Sequence, residues 1–113
     1  MRKTDKKIDN QLRLVLTDVC EIMLNENNGF KWLTHLVDYS SFPKSLKVIC
    51  VFDTNENLSC FIATNSEKNL NSLIQMKLDE IGIKVKNVTN HIFYDTEENC
   101  EKEHNGKWAV RLG

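Results

Sequence analysis

The side chains with ready chemistry in this 113-residue chain are three histidines and four cysteines. A cysteine or serine nucleophile works only with a base, a group that orients the base, and oxyanion donors gathered in one pocket. His35, His91 and His104 are the available bases. His35 and His91 fall within predicted strands, where an imidazole more commonly packs half-buried than catalyses. They are nonetheless the polar groups expected to line a pocket, with Cys60 as a third landmark. No G-x-S-x-G elbow accompanies them. Neither G-x-G-x-x-G nor G-x-x-x-x-G-K-[ST] occurs, and four scattered glycines cannot build a phosphate-cradling loop. No residue is therefore assigned a catalytic role.

Metal chemistry has an equally thin basis. Cys20, Cys50, Cys60 and Cys100 lie 30, 10 and 40 residues apart, without the close pair that lets two thiolates reach one tetrahedral ion. Cys100 and His104 stand at i, i+4 on a predicted helix, a spacing that suits two ligands. Two more would have to come from elsewhere, so neither a metal nor another cofactor is expected. Reduced, mostly buried cysteines are expected in a cytoplasmic protein.

Charge narrows the partners. Lys and Arg number 15 against 16 Asp and Glu, a formal net charge of -1. That balance lacks the broad positive field of a dedicated nucleic-acid or membrane-surface protein. The charges are unevenly placed, however. Arg2, Lys3, Lys6, Lys7 and Arg13 oppose only Asp5 and Asp9, a local excess of +3 that is the one candidate for polyanion contacts. Residues 95–104 carry a net -4 with His neutral.

The elements that must hold these residues follow from periodicity. Ile8, Leu12, Val15, Leu16, Val19, Ile22 and Met23 make one helical face over residues 5–24, which Asn25 to Gly29 terminates. Residues 30–39 alternate as a strand, and Ser40 to Ser45 form a turn around Pro43. Leu46 to Asp53 is a second, more apolar strand, and a hairpin joins the two. Leu58, Phe61 and Ile62 fit a helical turn or a short strand equally well. Thr64 and Glu67 have the form of a capping box, opening a helix over about 65–81 that Gly82 stops. A third strand is expected within Ile83 to Tyr94. Asp95 and Glu98 then open a short acidic helix, and Trp108 to Leu112 dock as a strand or an extended tail.

One α+β domain spanning 1–113 is expected. Its sheet would have three antiparallel strands, four with the tail, in the order 2-1-3 because the crossover returns strand 3 beside strand 1. The two long helices would cover one face. The other face would stay apolar and open, which predicts association, most simply as a two-fold homodimer. The basic N-terminus lacks a secretory apolar core, and no run is long enough to span a membrane.

Three segments, Met1 to Arg13, Phe42 to Asn55 and Tyr94 to Trp108, resemble a family of small bacterial proteins labelled Fis-family transcriptional regulators, whose genes can travel on mobile cassettes. The resemblance spans nearly the whole chain and implies no established activity. A Fis-type protein ends in a helix-turn-helix with a basic recognition helix, whereas the matching stretch here is acidic. No DNA-contacting residue carries over. In element order alone the chain is also similar to the α-β-β-α-β half of a bacterial ribosome maturation factor, a fold-level analogy. The expected function is thus a non-enzymatic cytoplasmic protein acting through self-association and protein or small-ligand contacts. The alternative is a nucleic-acid- or ribosome-associated accessory protein using the Arg2 to Arg13 end.

Overall fold

The computed structural model describes residues 2–113. Helix α1 (Lys3–Glu26) buries Leu12, Val15, Leu16, Val19 and Met23, the stripe its periodicity dictates. A turn through Gly29 leads into strand β1 (Phe30–Leu36), and strand β2 (Lys47–Phe52) returns antiparallel to it. Helices α2 (Asn55–Ala63) and α3 (Ser66–Glu80) cross over to strand β3 (Ile92–Thr96). Helices α4 (Glu97–His104) and α5 (Trp108–Leu112) complete the described chain. The ambiguous segment around Leu58 is helical, and Gly82 (φ +75°) turns the chain just past the end of α3. There the amides of Gly82 and Ile83 bond the carbonyls of Asp79 and Leu78, and glycine alone takes the left-handed turn without strain.

The fold is α+β, but the sheet is mixed and three-stranded, in the order β1-β2-β3 with β3 parallel to β2. Strand β3 runs in the expected direction but lies on the other side of the hairpin. The cause lies in the strands themselves. Val48 to Phe52 are buried on both faces and suit the centre of a sheet. Strand β1 carries exposed Lys31 and a bulge between Phe30 and Trp32, both features of an edge.

Other boundaries differ for local reasons. The third strand starts only at Ile92, after a 3-10 turn over Val88–His91. Strand β1 stops at Leu36, and Tyr39 sits in a 3-10 turn capped by the Asp38 side chain. Thr64 does not cap α3. Its hydroxyl bonds back to the carbonyls of Cys60 and Phe61 and closes α2 instead. Thr96, not Asp95, caps α4 by accepting from the Asn99 amide.

The core lies between α1, α2 and α3 and the sheet face built from Leu33, Val48, Cys50, Phe52, Ile92 and Tyr94. The opposite face is not left open as expected. The C-terminal segment is a helix, not a strand, and it lies across the row formed by Trp32, Val51 and Asp95. Trp108 packs edge-on against Trp32 with ring centroids 4.8 Å apart, and Arg111 grips Asp95. Val51 beneath is fully buried. Only the far end of this face, at Leu36 and Phe93, remains exposed.

Candidate functional site

Asp9, in the second turn of α1, organises the seam between α1 and β1. Its Oδ1 accepts from His35 Nε2 at 2.9 Å and from the Tyr39 hydroxyl at 2.7 Å. Its Oδ2 faces Arg13 Nε at 3.0 Å. The hydrogen bond from His35, with that from Tyr39, holds the Asp9 carboxyl below the usual carboxylate range. Burial, with the bond to Asp9, pushes the Tyr39 phenol well above its ordinary value. His35 lines a cleft, and its Nε2 proton is committed to Asp9.

That cleft, of about 460 Å³, runs beside the free edge of β1. Arg13, Leu16, Thr17, Cys20 and Glu21 form its α1 wall, and Leu33, Thr34 and His35 its floor on β1. Among the described residues no strand pairs with β1 on that side. Unpaired amides and carbonyls of an edge strand are a template for another strand. The cleft adds an apolar bed at Leu16, Cys20 and Leu33, with a cation and an anion along its helical wall.

His91 does not join His35. It ends the 3-10 turn before β3, and β2 separates the two strands that were expected to be neighbours. Its Nδ1 donates to the Leu46 carbonyl at 2.7 Å, which ties the turn to the start of β2. His104 meets Arg111, and Arg111 also pairs with Glu103, so this corner fastens α5 to α4. Cys60 is exposed, Cys20 half-buried, and Cys50 and Cys100 are buried. Burial pushes the Cys50 thiol up to about 12. Cys100 points inward from α4 while His104 engages Arg111, and no metal-ligating cluster occurs among the described residues.

A local repeat escaped the sequence analysis. Asp53-Thr-Asn-Glu-Asn57 and Asp95-Thr-Glu-Glu-Asn99 share the pattern D-T-x-E-N and lie at the ends of the two parallel strands. Each threonine caps the helix that follows, accepting from Asn57 N and Asn99 N. Asn55 links the two copies, donating to Asn99 Oδ1 and accepting from Thr96 Oγ1, both at 2.7 Å. Its amide donates to Glu98 Oε1, which, with Lys102, keeps that carboxyl low. Carboxyl ends of parallel strands are frequent ligand sites. Here the amides of Asn55, Asn57, Glu98 and Asn99 are occupied by the chain's own oxygens, so the repeat stitches β2–α2 to β3–α4.

The basic residues gather at the opposite end. Lys3, Lys6 and Lys7 border a shallow groove on α1 with exposed Leu14. Asp9 meeting His35 and Tyr39 places the start of α1 at the end of β1. Lys44 precedes β2 and Lys47 opens it there, and Lys84 and Lys86 lie on the path to β3. Arg13 stands further along and is paired with Asp9. Arg2, just ahead of α1, is exposed.

Comparison with protein-family models, curated proteins and solved structures gives no match. No helix among the described residues is long and apolar enough to cross a membrane. The functional weight therefore rests on geometry. Periodicity could flag Arg13, Thr17 and Glu21 as one helical stripe, but only the fold shows that this stripe overhangs a free strand edge.

Proposed function

We propose that this protein is a non-enzymatic, cytoplasmic contact module that works by docking an extended protein segment against β1, beneath α1. The observation that carries the reading is the free β1 edge bordered by the cleft. Backbone hydrogen bonds to such an edge supply affinity, and side-chain pockets beside it supply selectivity. The engagement of His35 with Asp9, and of His91 with Leu46, supports a structural use of the imidazoles over a catalytic one. The test is selection of displayed short peptides on the protein, followed by mapping of their amide shifts. Perturbation confined to Leu33–Leu36 and Arg13–Glu21 supports the reading. Selected peptides that all map elsewhere overturn it.

A second reading has its own observation, the gathering of Lys3, Lys6, Lys7, Lys44, Lys47, Lys84 and Lys86 at one end of the sheet. It makes the protein a nucleic-acid- or ribosome-associated accessory factor, with Arg2 and Arg13 flanking the contact. Displacing counterions from phosphates gives binding that weakens steeply with salt. Titration of single-stranded RNA and duplex DNA across a salt series tests it, and affinity indifferent to salt, or none at all, counts against it.

A further inference from the structure

We propose that the segment docking on β1 is the β1 edge of a second copy of this chain. The two edges run antiparallel about a two-fold axis and merge two three-stranded sheets into one. The proposal rests on the docking role assigned above to the cleft and names its occupant.

Three features of the seam are self-complementary. First, the strand is suited to pairing along only part of its length. The bulge and Lys31 blunt its start, while Trp32 to Leu36 hold a regular register with β2. An antiparallel pair centred near Leu33 and Thr34 uses the regular part.

Second, the α1 wall carries opposite charges on either side of a neutral centre. Arg13, Thr17 and Glu21 recur every four residues and share one face. A two-fold axis beside Thr17 sets Arg13 of each copy against Glu21 of the other, the reciprocal pairing an isologous interface requires. The Arg13 side chain remains 71% exposed with its Nε on Asp9, and Glu21 is exposed without an ion-pair partner among the described residues. The helix as a whole is polarised in the same sense. Lys3, Lys6, Lys7 and Arg13 outnumber Asp5 and Asp9 before the centre, while Asp18, Glu21 and Glu26 follow it with no cation, so antiparallel helices set unlike net charges together.

Third, the apolar part of the cleft at Leu16, Cys20 and Leu33 lies between the charged ends, where partner atoms would exclude water. An unrelated peptide could satisfy the edge, but only a second copy matches edge and charge stripe through one operation.

Sedimentation across a micromolar concentration series tests the proposal on the full chain. The expected result is a dimer whose β1 amides exchange more slowly as concentration rises. Thr17→Lys sets two cations against each other on the axis, at an exposed site that the fold does not need, and should weaken association by about tenfold or more. Arg13→Glu and Glu21→Arg should each weaken it comparably, and their combination should restore most of the loss. A monomer throughout, or a dimer indifferent to Thr17→Lys and to both reversals, overturns the self-pairing. A monomer whose cleft still takes selected peptides sinks the second copy and leaves the docking role standing.

Discussion

Asp9 concentrates three donors on one half-buried carboxylate, so removing its charge should be felt in stability. Asp9→Asn leaves His35, Tyr39 and Arg13 facing a neutral amide that must direct its own N–H groups at one of them. The loss expected in denaturant unfolding at neutral pH is about 1.5–3 kcal/mol, the range for hydrogen bonds to a charged group. The sign with pH follows from the direction of the shift. The folded carboxyl binds its proton less readily than an unperturbed aspartate at 3.8. Its contribution is therefore complete above that value and disappears as pH falls from there through the lower folded value. The variant should show a flatter acid limb, and unchanged curvature would contradict the role given to Asp9. Tyr94 presents the converse case. Its hydroxyl is buried without a partner among the described residues, and burial pushes the phenol above its ordinary value. Tyr94→Phe removes an unsatisfied polar atom and should raise stability by about 1 kcal/mol, whereas a loss would reveal a partner for the hydroxyl. Neither feature is legible in the sequence. Asp9 stands on the polar side of a helical pattern, and its partners lie 26 and 30 residues away.

Elements were legible where their own periodicity decides them and obscure where docking does. Helices α1 and α3 follow from apolar stripes ended by Gly29 and Gly82. Residues Trp108 to Leu112 alternate too briefly to choose between strand and helix, and the decision falls to Trp108 against Trp32 and Arg111 on Asp95. This clasp should be measurable. In a cycle of Arg111→Met with Asp95→Asn, the coupling expected is about 1–3 kcal/mol, because both side chains are largely shielded and the fork is bidentate. Additive losses would mean that the Asp95 fork adds nothing to the hold of Trp108 on Trp32 and of Arg111 on Glu103. Gly29 marks another junction whose importance only the fold discloses. It has φ +83°, and an added Cβ would lie 2.5 Å from Asn57 Nδ2 and 2.6 Å from Asp53 Oδ1. Gly29→Ala thus combines a disfavoured backbone with a clash in the first D-T-x-E-N junction. A loss of about 1–3 kcal/mol in thermal or denaturant unfolding is expected.

At the scale of the molecule, the near-neutral total conceals a separation of charge, with lysines around the start of α1 and carboxylates around the D-T-x-E-N repeat. Composition cannot show this, because a net charge carries no positions, and the hairpin alone cannot show which strand takes the centre. The separation also gives the two functional readings different responses to salt. A β1–β1 dimer would draw on backbone pairing and apolar contact, with two symmetry-related Arg13–Glu21 pairs at its exposed rim. Exposed pairs contribute roughly 0–1 kcal/mol each and are screened over about 3 Å at 1 M salt. Salt should therefore weaken the dimer by at most about thirtyfold, with no further loss once the pairs are screened. Binding of nucleic acid by the lysine end would instead fall as a power of salt concentration, its slope set by the number of phosphates neutralised. Sedimentation and nucleic-acid titration over one salt series separate the two. A dimer that dissociates continuously with salt and never reaches a plateau would show charge alone at work, and the edge-strand seam would then lose its support.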